Sequence, residues 1–240
     1  MSYTDPVFLT AKWRDLLMLN YLVDPASLQE FVPSGTCLDS FQGRTYLSLV
    51  GFRFCNTKLR GRIPIPFHSE FEEINLRFYV RREIGKEVRR GVVFIAEIVP
   101  KLAVAKTARW VYGEKYVCRR MRHKVRGDEE SVEYAWQGKA AECALRAEVR
   151  GESYLPAEGS VQQFITEHYW GYSRQENGTS LEYQVVHTPW RVWDTSSSKF
   201  TGDPSDLYGR ELAQILARPP DSAFLAEGSA VSVFDGALVK

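Results

Sequence analysis

The sequence predicts a mainly β domain with a few short helices, in which the strands form a barrel or a strongly curved sheet. Aromatic residues make up 13% of the chain, and such rings pack well on a pleated sheet. Short apolar segments, alternating or continuous, recur between turn residues along the chain. Helical signals are few, and no repeat or long linker interrupts the 240 residues. We therefore expect a single domain over residues 1–240.

The individual elements follow from turn and cap signals. Proline suits the first turn of a helix, Ser160 suits an N-cap, and Gly113 suits a helix end. The predicted helices are Pro25–Pro33, Pro100–Tyr112, Ser160–Tyr169 and Arg210–Ala217. The predicted strands are Leu38–Phe41, Arg44–Phe54, Phe71–Arg82, Glu87–Val99, Glu114–Lys124, Ser131–Gln137, Lys139–Gly151, Ser180–His187, Trp190–Thr195, Ser229–Phe234 and Ala237–Val239. A polar loop is expected over Ser196–Ser205.

The charge balance excludes a globally basic, nucleic-acid-binding protein. Thirty-one basic and thirty acidic residues give a formal charge of +1, whereas phosphate binding needs a positive field. A local basic run at Arg119–Arg126 is followed by acidic residues at 128–130, which is typical of a solvated strand end. We expect no nucleic-acid partner.

The sequence shows neither a clear membrane-spanning segment nor a clear targeting signal. The N-terminus has no basic start followed by an apolar stretch, and charged residues interrupt the most apolar window, Val92–Val111. The four cysteines, Cys37, Cys55, Cys118 and Cys143, have no paired spacing, which favours free thiols over disulfides or zinc. We expect a cytoplasmic protein without metal, cofactor or membrane partner.

The segment Phe71–Arg82 is the most informative strand. Because strand side chains alternate, Glu73, Asn75, Arg77 and Tyr79 share one face and the apolar residues share the other. In one interpretation the polar face meets water, as on an ordinary half-buried strand. In the other it lines an enclosed cavity, where Glu73 and Arg77 hold each other or orient a carboxylate ligand.

Two residues near the next strand are candidate catalytic groups. Glu97 either lies buried, where its pKa would rise, or occupies the wet end of the strand beside Pro100. Lys101 falls in the first turn of a predicted helix, where the dipole would lower its pKa, with Tyr112 on the same face. The alternative for Lys101 is an ordinary surface lysine.

Several longer segments resemble a known family. They are Trp13–Tyr21, Val32–Asp39, Tyr46–Phe52, Phe71–Val80, Gly91–Phe94, Ala108-Arg109, Tyr112-Gly113 and His187–Trp190. The chain resembles the YqjF-like proteins (domain of unknown function 2071), which are similar in fold to acetoacetate decarboxylase. That resemblance implies a barrel or cone of antiparallel strands around a ligand cavity. The ligand-binding residues that we predict are Glu73, Asn75, Arg77, Tyr79, Arg109, Tyr112, His187 and Trp190.

The resemblance is incomplete at the lysine motif. Acetoacetate decarboxylase forms a Schiff base on one lysine, whose pKa is lowered by an adjacent lysine. Here Glu97-Ile-Val-Pro-Lys101 has a shorter spacing, and Leu102 stands in the second lysine's place. The neighbouring cation that would lower the amine pKa is therefore missing.

Three hypotheses follow. The leading one is a protein of the acetoacetate decarboxylase-like fold that binds a small molecule, for example one that carries a carboxylate, in its cavity. The second is a Schiff-base lyase or decarboxylase that acts on a keto acid through Lys101, with Glu97 or Glu73 as proton shuttle and Arg77 or Arg109 on the carboxylate. The third is a non-catalytic assembly protein, and a homo-oligomer is compatible with each of them.

Overall fold

The computed structural model describes residues 6–64, 69–125 and 131–239, with the side chains at 108–110 left out. Within these ranges the helices are α1 Leu102–Tyr112, α2 Val161–Thr166 and α3 Ser205–Leu216, and a 3-10 helix spans Pro25–Phe31. The strands are β1 Val7–Val23, β2 Cys37–Leu38, β3 Thr45–Leu59, β4 Ile63–Pro64, β5 Phe71–Ile84, β6 Glu87–Val99, β7 Tyr116–Cys118, β8 Met121–Val125, β9 Ser131–Gln137, β10 Glu142–Tyr154, β11 Trp170–Arg174, β12 Ser180–His187, β13 Val192–Thr201, β14 Ser222–Ala226, β15 Ala230–Phe234 and β16 Ala237–Leu238.

The strands form one large sheet that curls on itself. Its main path runs β4-β3-β5-β6-β11-β12-β15-β1-β14-β13-β10-β9-β8, and β1 also pairs with β3. That pairing joins β3, β5, β6, β11, β12, β15 and β1 into a ring. On its other edge β1 pairs with β15 over its first half and with β14 over its second half. The ring therefore widens into a cone instead of a regular barrel.

The mainly β fold is as predicted, but the strands are not all antiparallel. β6 pairs in parallel with both β11 and β7. Parallel neighbours need a crossover, and α1 provides one between β6 and β7. The sheet is therefore mixed, with the helices packed against it.

Some element predictions need correction. The long strand β1 was not predicted, because its buried part, Leu16–Tyr21, is almost continuously apolar and lacks a period of two. The predicted strands Leu38–Phe41 and Arg44–Phe54 are expected to pair as a hairpin, but they share only a Phe41–Arg44 bridge, since β2 pairs with β5 instead. Strand pairing with distant segments, which local pattern does not encode, decided both cases.

Two other segments also differ from prediction. The segment predicted as one strand, Glu114–Lys124, divides into β7 and β8. The predicted polar loop from Ser196 is strand as far as Thr201, because β10 supplies a partner. The acidic segment at 128–130 lies outside the described residues, while Arg122 of the basic run pairs with Glu133 and Glu142.

The apolar side chains pack on both faces of the curled sheet. A core cluster that includes Leu17, Leu49 and Ile74 packs against Tyr208 and Leu212 of α3. A second cluster, with Met18, Val50 and Val92, packs against Phe164 of α2 inside the cone. Among the described residues no helix is long and apolar enough to cross a membrane.

Candidate functional site

The inside of the cone holds a cavity of about 300 Å³. Its wall is mainly apolar and aromatic, and α1 contributes Ala103, Val104 and Thr107 to it. The charged side chains on the wall are Glu73, Arg77, Glu97 and Glu114. A small concave site with a few convergent polar groups is the usual form of a ligand-binding pocket.

The alternation of β5 directs its polar residues inward. Glu73, Asn75 and Arg77 line the cavity and are each less than a tenth exposed. A register shift between β5 and β6 sets Asn75 opposite Glu97. Parallel pairing then sets Tyr116 of β7 beside Glu97. Three strands therefore bring their polar side chains to one part of the wall.

Three buried glutamates meet there, and we call Glu73, Glu97 and Glu114 the carboxyl cluster. Glu73 accepts hydrogen bonds from Asn75 Nδ2 at 3.0 Å and from the Tyr116 hydroxyl at 3.1 Å. The Tyr183 hydroxyl donates to Glu114 Oε1 at 2.5 Å. Glu97 and Glu114 are hydrogen-bonded to each other.

Burial raises the pKa of each carboxyl in the cluster, because desolvation disfavours the charged form. The pKa of Glu73 rises to about 7, against the lowering effect of its bonds to Asn75 and Tyr116. The pKa of Glu114 rises to about 8. Burial, followed by the nearby Glu114, raises the pKa of Glu97 well above its usual range. The hydrogen bond between Glu97 and Glu114 raises the pKa of Glu97 and lowers that of Glu114.

Two acceptor atoms of this region lack partners. Among the described residues nothing bonds to Glu97 Oε2 or to Asn75 Oδ1, although both atoms are buried. Buried polar atoms are nearly always satisfied, and an unmet one costs about 1–3 kcal/mol. Both side chains belong to residues that line the cavity.

Arg77 is a buried cation on the same wall. Its Nη2 donates to the Ile165 carbonyl at 3.3 Å and contacts Met18 Sδ at 3.9 Å. Its Nε has no partner within the described chain, and no carboxylate there lies within ion-pair distance. Glu73 bonds to Asn75 and Tyr116 instead, so the expected Glu73–Arg77 pair does not form.

A histidine also faces the cavity. His168 Nε2 lies 3.3 Å from Asp39 Oδ2, and Asp39 is also held by Arg90. Burial lowers the pKa of His168 to about 4, so the ring is neutral near pH 7. Its Nδ1 is buried and has no partner in the described chain. Histidine 68 lies outside the described residues, and His123 bonds Glu72 outside the cavity.

Three other predicted ligand residues also line the cavity. Tyr112 donates to the Phe234 carbonyl at 3.2 Å, and its ring lies 4.5 Å from that of Tyr183. His187 and Trp190 stack at 4.1 Å between ring centroids. The Trp190 indole is satisfied by Ser229. These side chains shape the wall of the cavity. The cavity-lining residues that have a buried polar atom without a hydrogen-bond partner in the described chain include Glu97, Asn75, Arg77 and His168.

Lys101, Tyr79 and Arg109 have different positions. α1 begins at Leu102, one residue after Lys101, and Lys101 is half-buried but does not line the cavity. Tyr79 is buried behind the wall, where its hydroxyl bonds Ser48 at 2.7 Å. The side chain of Arg109 lies outside the described residues. The structure therefore does not bring Lys101 together with Glu97 and Arg77 at the cavity.

Sequence reasoning missed Glu114, Tyr116, Tyr183 and the inward nitrogen of His168. One available signal was the period of two in Glu114-Lys-Tyr116, which places both polar side chains on one face. Nothing local identifies Tyr183, whose ring packs over Gly171 on the paired strand β11. A Cβ at position 171 would overlap that ring, so only glycine leaves room for it.

The carboxyl cluster does not have the arrangement of a metal site within the described residues. Across the described ranges, no group of three or more histidine, cysteine, aspartate or glutamate side chains is arranged to hold a metal ion. The chemistry of the site is therefore that of hydrogen-bonding carboxyls, one guanidinium and aromatic walls.

Solved structures define the class to which this fold belongs. Acetoacetate decarboxylase from Legionella pneumophila subsp. pneumophila str. Philadelphia 1 matches with a TM-score of 0.72 and 11% identity, over 100% of this chain and 90% of that chain. The enduracididine biosynthesis enzyme MppR, complexed with pyruvate, matches with a TM-score of 0.67 and 13% identity, over 99% and 92% of the two chains. The protein has the acetoacetate decarboxylase-like fold, as the sequence predicted.

The family follows from sequence. The chain belongs to the family of domain of unknown function 2071, described as "Uncharacterized conserved protein", whose match spans residues 10–230. "Uncharacterized protein YqjF" of Bacillus subtilis (strain 168) is 27% identical over 218 residues, which cover 89% of this chain and 87% of that protein. The predicted YqjF-like family is confirmed.

Proposed function

We propose that the protein binds a small carboxylate-bearing molecule in the cavity, with Arg77 as the partner of the carboxylate. The observation that carries the proposal is a buried guanidinium that faces the cavity and has no carboxylate in ion-pair distance among the described residues. A buried charge is costly unless it is paired. A guanidinium also matches a carboxylate with two parallel hydrogen bonds, so an anionic ligand would satisfy it.

The size and the lining of the cavity favour the same class of ligand. About 300 Å³ is near the lower end of small-molecule sites, which suits a compact ligand. The aromatic wall would enclose an apolar body. MppR, which has the same fold, was crystallised with pyruvate, a small keto carboxylate. This likeness supports the carboxylate class without identifying the molecule.

Binding can be measured through Trp13, Trp170 and Trp190, which all line the cavity. Pyruvate, acetoacetate and hexanoate are titrated against their neutral amides, and quenching of tryptophan fluorescence gives each Kd. We expect at least one carboxylate to bind about tenfold or more tightly than its amide, since that ratio corresponds to about 1.4 kcal/mol. Equal Kd values for each acid and its amide would contradict the proposal.

Arg77→Met tests the residue directly, because methionine keeps the apolar length and removes the charge. We expect the carboxylate preference to disappear. Arg81→Met is the matched control, since Arg81 lies on the same strand but is exposed. Thermal unfolding of both variants establishes that they fold. An unchanged carboxylate preference in Arg77→Met would exclude this role for Arg77.

The imine-forming enzyme is the second candidate, and its support is the likeness to acetoacetate decarboxylase. Against it, none of the cavity-lining residues in the described chain is a lysine. Borohydride reduction with pyruvate or acetoacetate, followed by mass spectrometry, distinguishes the two. We expect no adduct at Lys101, whereas an adduct there would favour the enzyme.

Cellular location and assembly belong to the same proposal. The four cysteines are free in the structure, which supports a reducing, cytoplasmic location. A homo-oligomer stays a prediction that sedimentation can test.

A further inference from the structure

We propose that the ligand also carries a protonated amine, which the carboxyl cluster binds at the end of the cavity opposite the carboxylate of the ligand. This inference rests on the proposed function, because it adds a second charged group to the same molecule. The ligand class is then an amino carboxylate whose two charged ends are separated by several bonds.

The buried polar atoms without a partner in and beside the carboxyl cluster are both hydrogen-bond acceptors. Glu97 Oε2 is buried and has no partner among the described residues, and a carboxyl oxygen without a proton is an acceptor. Asn75 donates Nδ2 to Glu73, which leaves Asn75 Oδ1 as an acceptor too. Both atoms therefore require a donor. An ammonium group has three donors and no acceptor, so it meets this pattern fully.

The charge of the cluster favours the same group. Three carboxyls share one buried region, and in the described residues none of them has a cationic side chain within ion-pair distance. A bound cation would stabilise their ionised forms. Because the described chain offers no metal-binding arrangement, an organic cation is the appropriate choice. Tyr112 and Tyr183 add aromatic faces, which attract cations.

The two ends of the site are separated along β5. Asn75, which supplies one acceptor and pairs with Glu97, is two residues from Arg77, or about 7 Å between Cα atoms at a rise of roughly 3.3 Å per residue. Glu73, on the other side of Asn75, is four residues from Arg77, or about 13 Å. A ligand that reaches both ends needs a flexible apolar linker, which the aromatic wall accommodates. We therefore choose 6-aminohexanoate as the probe.

The test compares three probes of one chain length: hexanoate, hexylamine and 6-aminohexanoate. Tryptophan fluorescence gives the Kd of each for wild type, Glu97→Gln and Glu72→Gln. Glu72 is the matched control, because it neighbours Glu73 but bonds His123 outside the cavity. We expect 6-aminohexanoate to bind at least tenfold more tightly than hexanoate. Glu97→Gln should remove most of this gain, because glutamine cannot lose a proton to become the anionic partner of the ammonium, while Glu72→Gln should preserve the gain.

Proton release provides an independent readout. The titratable groups around Glu97 are Glu73, Glu114, Tyr116, Tyr183 and Tyr208. Of these, the carboxyls are partly protonated near pH 7, so an ammonium should displace about one proton. Calorimetry in phosphate and in Tris, whose ionisation enthalpies differ, measures it. We expect release with 6-aminohexanoate and none with hexanoate.

The outcomes separate the two proposals. If hexanoate binds and 6-aminohexanoate binds no more tightly, water satisfies the cluster and the amine inference is overturned while the proposed function stands. If hexylamine binds but hexanoate, pyruvate and acetoacetate do not, the amine site stands and the carboxylate role of Arg77 fails. If none of these amines and carboxylates binds, both proposals are overturned.

Discussion

Two buried polar regions each include one residue of β5 and differ in how their hydrogen bonds are met. The first, which we call the serine network, joins Asn20, Ser48 and Tyr79, all of which are at most 1% exposed. Ser48 donates its single hydroxyl proton to Asn20 Oδ1 at 2.6 Å. The Ser48 oxygen therefore accepts from the Tyr79 hydroxyl, which lies 2.7 Å away. The second is the carboxyl cluster, in which Glu97 Oε2 and neighbouring Asn75 Oδ1 are unmet.

The difference separates a structural role from a binding role. The serine network does not line the cavity, and its members satisfy one another. Such a network holds strands in register and needs nothing from outside. The carboxyl cluster lines the cavity and has raised pKa values, which are typical of functional sites. Burial alone therefore does not distinguish the two regions, whereas hydrogen-bond satisfaction does.

The largest expected effect is on the pH dependence of stability. A carboxyl whose pKa rises from 4.5 to about 8 on folding contributes fully below pH 4.5, and this contribution is lost as the pH rises through 8. For Glu114 the loss is about 4–5 kcal/mol at 1.36 kcal/mol per pKa unit. Between pH 5 and pH 9 most of this range is covered, so urea unfolding should show wild type losing about 4 kcal/mol relative to Glu114→Gln.

Glu148→Gln provides the control for this measurement, because Glu148 is about half exposed. Its pH profile should follow wild type. Parallel profiles for wild type and Glu114→Gln would mean that the cluster is not desolvated, and the contrast with the serine network would lose its basis.

Breaking the serine network should have the next largest effect. Ser48→Ala leaves both Asn20 Oδ1 and the Tyr79 hydroxyl without a partner, so we expect about 3 kcal/mol of destabilisation. Urea unfolding at pH 7 measures it, with exposed Ser197→Ala as control. Glu97→Gln should cost less than Ser48→Ala, because glutamine reproduces the protonated carboxyl. The reverse order would contradict our assignment of the roles.

Gly171→Ala tests how Tyr183 is held against the cluster. The new methyl group would overlap the Tyr183 ring and push its hydroxyl from Glu114, which we expect to cost about 2 kcal/mol. The double variant Gly171→Ala/Tyr183→Val removes the clash, so it should be less destabilised than the sum of the single variants. Additive free energies of unfolding would show that the ring does not press on this position.

Tyr79→Phe should have the smallest effect. It removes one hydroxyl and leaves the Ser48–Asn20 bond in place, so we expect about 1 kcal/mol. Because Tyr79 does not line the cavity, the Kd of hexanoate should stay the same. A change in that Kd without a change in stability would move Tyr79 from the structural network to the binding site.

Local signals were sufficient for several elements. Gly113 ends α1 with a φ of 67°, and Ser160 caps α2 by accepting from the Gln163 amide. Both are encoded within one turn of chain, which explains why sequence predicts them. Lys101 illustrates the limit of prediction from local signals. The motif around it is visible in the sequence, but the direction of its side chain depends on where α1 begins.

The rest of the site comes from distant segments. Glu73, Glu114 and Tyr183 are separated by 41 and 69 residues, and only the curl of the sheet brings them together. Pairing partners are chosen by apolar burial over the whole domain, so no short window contains the information. β1 shows the same effect, since its three partners come from both ends of the chain.

By itself the sequence determined that β5 has one polar and one apolar face, because side chains alternate along any strand. It did not determine which face is enclosed, since alternation is the same on either side. The tertiary structure decided that question: β1 pairs with β3 and closes the ring, so the face with Glu73, Asn75 and Arg77 turns inward. Closure excludes bulk water, and that exclusion makes a polar strand face into a candidate binding site.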